Sequence, residues 1–216
     1  MPEYMTTLLA ALIGALIGSI GAVFAEFWLS GRAKDKQARK QLAQKYLYQL
    51  QDAAESLWYR IDNLAVFHRE IKDDSYFEFT TLYALGRVLA SERILGLDGI
   101  YPLLNDMYPG LSDVFRNRID KTIEKLGLKQ YDRIALAEAL IESEDGRFRL
   151  CNYLEFRGKY ELEDAPERKW LEPARSAIQS LSIENVRQDV SELLRKVAKE
   201  ISKEISVTSS LPKRPN

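Results

Sequence analysis

Two reactive side chains occur once each in this sequence, the thiol of Cys151 and the imidazole of His68. A thiol with an imidazole beside it is the pairing that gives a nucleophile and its general base. Nothing in their spacing brings these two together, and cysteine is among the residue types most often buried. His68 also falls on an apolar helical seam. We therefore interpret both as core residues and predict no catalytic, metal or cofactor site.

Motifs that bind phosphate, dinucleotides or catalytic zinc are absent from the sequence. It contains neither a P-loop, nor a dinucleotide-binding glycine pattern after a strand, nor a His-Glu-x-x-His helix. Its neighbouring carboxylates fall in polar turns, where solvated charge is the simpler interpretation. An enzyme with an unrecognised site stays open as an alternative, and it requires a concave pocket with convergent polar groups.

One pair of opposite charges stands apart from these solvated ones. Glu92 interrupts an otherwise apolar helix, and Arg60 lies beside the apolar seam of the preceding helix. A short polar turn between the two helices predicts an antiparallel hairpin. We therefore predict an ion pair between Arg60 and Glu92 in or near the core, most simply with a structural role.

The N-terminal segment decides where these side chains are held. Residues 4–25 carry no charge and are rich in Leu, Ile, Ala and Gly. At 1.5 Å per residue, such a helix is long enough to cross ~30 Å of hydrocarbon. We predict that residues 1–30 form a single transmembrane anchor.

Basic residues follow this segment, whereas only Glu3 precedes it. The positive-inside rule then places the N-terminus outside and the C-terminal bulk in the cytoplasm. We assign topology and contact with membrane lipid to these basic residues: Arg32, Lys34, Lys36, Arg39 and Lys40.

A cleavable signal peptide is the main alternative to an anchor. Small residues around Val23-Phe24-Ala25 would suit cleavage before Glu26. However, the preceding region has no basic residue, and the apolar run exceeds the ~7–15 residues usual in signal peptides. The sequence favours the anchor.

Small residues recur along one face of the predicted anchor, and they favour self-association. Helices pair in bilayers where small side chains let the backbones approach closely, as in the pattern Gly14-x-x-x-Gly18. Glycine is common in membrane helices generally, so ordinary composition is the alternative. A pore built from several such faces, in a membrane-perturbing effector, is another. The predicted pairing face comprises Ala11, Gly14, Gly18, Gly21 and Ala25.

A long helix is predicted to follow the anchor. Residues 31–45 form a basic juxtamembrane helix, and an apolar seam then continues at heptad spacing. Its members are Leu47, Leu50, Ala54, Leu57, Ile61, Leu64, His68 and Ile71. The seam could form a coiled coil with a second copy or pack on helices of its own chain. Aromatic residues widen it from Tyr46 onward and favour the second outcome there.

Residues 46–206 are predicted to form a cytoplasmic, mainly α-helical domain, an irregular bundle. Predicted helices cover 76–95, 112–126, 132–142, a short helix from Pro173 to Leu181, and 183–205. Apolar residues alternate with a period of two between 147 and 162, which predicts a short β segment followed by helix. Residues 207–216 are predicted to be a disordered tail.

Nucleic-acid binding is disfavoured by charge. Thirty-one basic and 32 acidic residues nearly cancel, whereas binding to phosphate backbones needs a positive excess. The order of elements from 112 to 162 matches a winged helix, but its recognition helix would offer one basic residue, Arg133. The sequence therefore predicts a membrane-tethered helical interaction or scaffold module that forms homo-oligomers and binds a protein partner through its cytoplasmic helices.

Overall fold

The computed structural model describes residues 35–64, 75–160 and 166–205. These residues are mainly helical, with one two-stranded sheet, so the predicted helical bundle is confirmed. No helix within these ranges is long and apolar enough to cross a membrane. The predicted anchor over residues 4–25 lies outside the described residues.

The chain divides into two units, Met1–Leu42 and Ala43–Asn216. In the first unit, the described residues 35–42 are helical and exposed. The second unit begins with helical residues 43–64, which we call α1. The elements that follow are α2 (Ser75–Leu97), α3 (Tyr101–Met107), α4 (Leu111–Lys125), α5 (Gln130–Ala139), β1 (Ile141–Glu144), β2 (Arg147–Leu150), α6 (Tyr153–Tyr160), α7 (Pro166–Gln179), a 3-10 turn (Ser180–Ser182) and α8 (Glu184–Ile205).

The apolar seam of α1 is buried within its own chain. Its described members are all between 0 and 3% exposed: Leu47, Leu50, Ala54, Leu57, Ile61 and Leu64. Packing on helices of the same chain is therefore the outcome for this stretch. A coiled coil of the preceding basic helix stays a prediction.

Side-chain pairs show that α1 and α2 run antiparallel. Asp52 accepts a hydrogen bond from Arg87 at 2.7 Å, and Arg60 donates one to Thr80. In this register, the numbers of two residues that face each other on α1 and α2 add up to about 140. Elsewhere α4 packs against α8, and α5 packs against both α2 and α7.

Residues 141–160 form a β-hairpin and then a short helix, in agreement with the β segment followed by helix that was predicted between 147 and 162. Strands β1 and β2 pair with Ile141 opposite Leu150. Asp145 and Gly146 form the turn with φ of 51° and 72°, and Asp-Gly is a favoured sequence for such two-residue turns. Asn152 and Glu155 then cap α6 reciprocally, because each side chain accepts a hydrogen bond from the other residue's backbone N–H.

Three predicted helix boundaries were wrong. Helix α5 ends at Ala139, because strand β1 begins at Ile141. Helix α7 starts at Pro166 and keeps Pro173 in its interior, although proline there removes a backbone hydrogen bond. Helix α4 begins at Leu111 after Gly110, one residue before the predicted start, and Ser112 in its first turn donates its hydroxyl to Asn105.

Gly86 permits the close approach of α2 to the end of α5. A Cβ at this position would lie 2.7 Å from Leu140 Cδ1 and 3.3 Å from Leu136 Cδ1. Both leucines are fully buried, so they have little room to move. Gly158 in α6 is the contrasting case, because a Cβ there meets nothing within 4 Å.

We expect Gly86→Ala to lower the free energy of unfolding and Gly158→Ala to raise it. Alanine gains up to ~1 kcal/mol in helix propensity at either site, but overpacking at Gly86 costs about 1–3 kcal/mol. Urea unfolding followed by circular dichroism measures both. Equal stabilisation of the two variants would contradict the close packing of α2 on α5.

Candidate binding surfaces

The predicted membrane residues lie largely outside the described part of the chain. This applies to the pairing face (Ala11, Gly14, Gly18, Gly21 and Ala25) and to Arg32 and Lys34. Lys36, Arg39 and Lys40 are described, and they are exposed on the helix of the first unit. Their roles in pairing, topology and lipid contact stay predictions.

Cys151 is 1% exposed, and burial raises the pKa of its thiol. A thiol with a raised pKa is protonated at neutral pH, whereas the thiolate is the nucleophile. This environment agrees with the interpretation of Cys151 as a core residue. His68 lies outside the described residues.

The structure does not bring Arg60 and Glu92 together. Arg60 lies over the ring of Phe77, with its guanidinium carbon 4.2 Å from the ring centroid, and donates to Thr80. In the observed register Glu92 falls opposite residues near 48 of α1, which is roughly 18 Å along the helix from Arg60 at 1.5 Å per residue. The prediction that the two helices run antiparallel was correct, but the sequence did not show which residues of the two helices face each other.

Glu92 instead organises a polar network between α2, α3, α4 and α5. Its carboxylate accepts a hydrogen bond from the Tyr101 hydroxyl at 2.6 Å and lies 3.2 Å from Arg133 Nη2 and 3.6 Å from Arg116 Nε. The side chains of Glu92 and Arg133 are each 13% exposed. Arg133 also pairs with Asp120, so it links Glu92 on α2 to Asp120 on α4.

This network lines a concave pocket of about 530 Å³. Its charged walls hold three bases and three acids: Arg93, Arg116, Arg133, Glu92, Asp120 and Glu124. Most of these charges neutralise one another. The described lining contains no serine, cysteine or histidine, which are the usual nucleophiles and bases of hydrolytic sites.

Burial of Tyr101 beside Glu92 raises the pKa of its phenol well above the ordinary value. Desolvation is the larger cause, and the adjacent carboxylate adds to it because a phenolate there would face a like charge. The neutral phenol is therefore the form that the network requires.

A second concave surface, which we call the α5–α7 groove, is mainly apolar and has a volume of about 500 Å³. It lies where α5, β1, the end of α6 and α7 meet. Its lining comprises Tyr131, Ile134, Ala135, Glu138, Ala139, Ile141, Lys159, Tyr160, Trp170 and Leu171. Pockets of this size with a few polar groups are typical of binding sites.

Two aromatic side chains project from the walls of this groove. Tyr131 is 85% exposed and Trp170 is 69% exposed, whereas the neighbouring Leu171 is 3% exposed. The amphipathic helices produce this arrangement: α5 buries Leu136 and Ala137, and residues on its flank point away from the core. Single exposed apolar residues are ordinary, but two large aromatics beside an apolar groove make this surface a candidate for binding.

Comparisons with protein-family models, with curated proteins and with solved structures found no match. The groove and the polar pocket are thus interpreted from this chain's own residues.

The sequence analysis missed the α5–α7 groove. Its signal was present in retrospect: Tyr131 stands between polar residues at the start of α5, and Trp170 follows Glu167, Arg168 and Lys169. An aromatic residue among charges at a helix start lies off the apolar stripe, which is where an exposed anchor would be expected.

We expect Glu92→Gln to lower the free energy of unfolding by about 2 kcal/mol or more, because it leaves a nearly buried guanidinium with less compensation. Glu138→Gln is the matched control, since Glu138 pairs with Arg93 at 2.7 Å but is 54% exposed. Exposed pairs contribute about 1 kcal/mol at most. Similar losses in urea unfolding for both variants would contradict a structural network around Glu92.

The raised pKa of Tyr101 also predicts a pH dependence. The native state keeps this proton above pH ~10 while the unfolded state loses it, so stability should fall as pH rises beyond that value. Tyr101→Phe should make this decline shallower by up to about 1.4 kcal/mol per pH unit. Urea unfolding at a series of alkaline pH values measures the slope, and an unchanged slope would count against the assignment.

Proposed function

We propose that this protein is a membrane-tethered helical interaction module that self-associates. In this proposal residues 4–25 span the membrane, the N-terminus lies outside and the helical bundle lies in the cytoplasm. The observation that carries the interaction role is the α5–α7 groove, with Tyr131 and Trp170 projecting from its walls.

The composition of this surface is what supports binding to a protein. Aromatic residues are enriched at protein interfaces, and tryptophan and tyrosine are prominent among the residues that dominate binding energy. Both aromatic side chains stand on helices whose opposite faces are packed in the core, so the backbone positions that carry them are fixed before a partner arrives. A rigid anchor loses little conformational entropy on binding.

The uncharged run at 4–25 and the basic residues after it support the membrane tether. Lys36, Arg39 and Lys40 are exposed, as contact with anionic lipid requires. Each basic residue near such a surface contributes up to about 1 kcal/mol. The small residues Gly14 and Gly18 supply the pairing face within the bilayer.

An enzyme is less well supported, although the polar pocket around Glu92 has the concave shape that an active site needs. Glu92 and Asp120 both bind Arg133. A general acid or base requires a group that is able to exchange its proton with a substrate, and paired charges of this kind are more typical of structural networks.

Self-association through the anchor predicts a specific effect of substitutions in it. Replacing Gly14 and Gly18 together with leucine should weaken self-association of the full chain at least tenfold, because the larger side chains prevent close backbone approach. Ile20→Leu, which conserves volume on a different face, should have little effect. The mass of the detergent-solubilised chain over a range of concentrations measures this.

Topology is tested separately by protease protection in sealed inner-face-out and outer-face-out membrane vesicles. We expect the helical bundle to be cleaved only when the cytoplasmic face is outward. Recovery of the chain in the aqueous fraction without its first 25 residues would overturn the tether, and with it the proposed function.

A further inference from the structure

We infer that the α5–α7 groove is occupied by the same groove of a second copy of this chain, in a two-fold contact. This inference deepens the proposed function and rests on it, because it names the partner of the interaction surface. The observations behind it are the shape of the groove, the charges at its rim and the area available.

The shape is self-complementary. The same surface carries both a concavity of about 500 Å³ and two projecting aromatic side chains, Tyr131 and Trp170. In a two-fold contact each copy presents the same patch to the other. The projecting aromatic side chains of one copy can therefore enter the groove of the other, and the reverse. Aromatic anchors seated in apolar pockets are the usual core of such interfaces.

The rim charges are self-complementary as well. The groove's lining holds one acid, Glu138, and one base, Lys159, whose side chains are 54% and 45% exposed. Each already has a partner in its own chain, Arg93 for Glu138 and Glu142 for Lys159, but exposed pairs of this kind contribute about 1 kcal/mol at most and leave both charges able to bind a second copy. A two-fold axis through the patch can set Glu138 of each copy against Lys159 of the other. A strongly acidic or strongly basic partner would instead meet a like charge on this rim, which opposes association.

The available area explains why the contact needs the tether. An aromatic side chain buries about 150–250 Å², and 85% of Tyr131 and 69% of Trp170 is still exposed. The four side chains from two copies therefore contribute on the order of 460–770 Å². Stable interfaces bury about 1,200–2,000 Å². When the area of the groove walls is added, the total buried area is near the lower limit of this range. Two copies free in solution would then bind each other weakly. Anchoring two copies through paired helices raises their effective concentration by orders of magnitude and populates a contact of this size.

The test uses the full chain in lipid vesicles, with donor or acceptor fluorophores at the C-terminus and energy transfer measured against protein density. Trp170→Ala should weaken self-association at least tenfold. Ile183→Ala is the matched control, because Ile183 is 57% exposed and lies outside the groove's lining, and it should change self-association less than twofold. Circular dichroism checks that each variant is folded, as expected for exposed positions.

Charge reversal distinguishes a second copy from a different protein. Glu138→Lys and Lys159→Glu should each weaken self-association severalfold, because like charges then face each other across the axis. The double reversal should restore it to within about twofold of the original chain. Each single reversal also places a like charge beside Arg93 or Glu142 of its own chain, and the double reversal does not remove that effect. Restoration by the double reversal therefore supports contact between the two charges across copies, whereas a loss that persists in the double reversal counts against the two-fold contact.

Two results would overturn the inference, and they separate it from the proposed function. If Trp170→Ala behaves like Ile183→Ala while leucine at Gly14 and Gly18 abolishes energy transfer, self-association stands but does not use the groove. If the unaltered chain shows no energy transfer at any density, both the inference and the proposed self-association fail.

Discussion

The fold depends on the burial of α1 on nearly all sides. Between Leu50 and Leu57 this helix buries not only its apolar seam but also Ala53, Gln51 and Glu55. Burying one leucine or isoleucine contributes about 1.5–3 kcal/mol relative to leaving it exposed. Since these residues face several directions, α1 can be stable only when other helices surround it, and the rest of the domain is arranged to do so.

Polar side chains on α1 then determine how the surrounding helices align. Asp52 binds Arg87 on α2, and Asp62 accepts a hydrogen bond from Ser191 on α8 at 2.8 Å. Gln51 donates to Glu55 at 2.9 Å in the interior. Apolar packing alone tolerates sliding of one helix past another, whereas a buried or half-buried polar atom loses its partner when the register shifts. The Asp52–Arg87 and Asp62–Ser191 pairs therefore favour one register out of several that bury similar area. Gln51 and Glu55 lie on the same helix, so their pairing satisfies interior polar atoms in any register.

The sequence predicted the features that follow from periodicity and failed where the answer depends on which elements become neighbours. The seam from Leu47 to Leu64 and the extent of α8 follow from helical spacing. The Arg60–Glu92 pairing required the register between two helices, which is set by Asp52 and Arg87. The end of α5 was misplaced because Ile141 fits a helix by spacing but pairs with Leu150 in the hairpin.

The groove was missed for a related reason, although its two aromatic residues lie off the apolar stripes of their helices. Trp170 and Leu171 are adjacent, yet one projects into solvent and the other is buried. No composition rule separates them, since tryptophan is highly buried on average. Helical spacing separates them, because Leu171 shares the buried stripe of Ala174 and Ile178. That the exposed tryptophan borders a groove follows only from the position of α7 against α5.

Helix α5 joins the two concave surfaces and gives each a different role. Arg133 and Gln130 line the polar pocket, Tyr131 and Ala135 line the groove, and Ile134 borders both. The paired charges of the pocket fix α5 against α4, and Gly86 lets the end of α5 approach α2 closely. One wall of the groove is therefore formed by a helix whose other faces contact α2 and α4. A weak interface benefits most from such support, because little of its small binding energy is lost in ordering the surface.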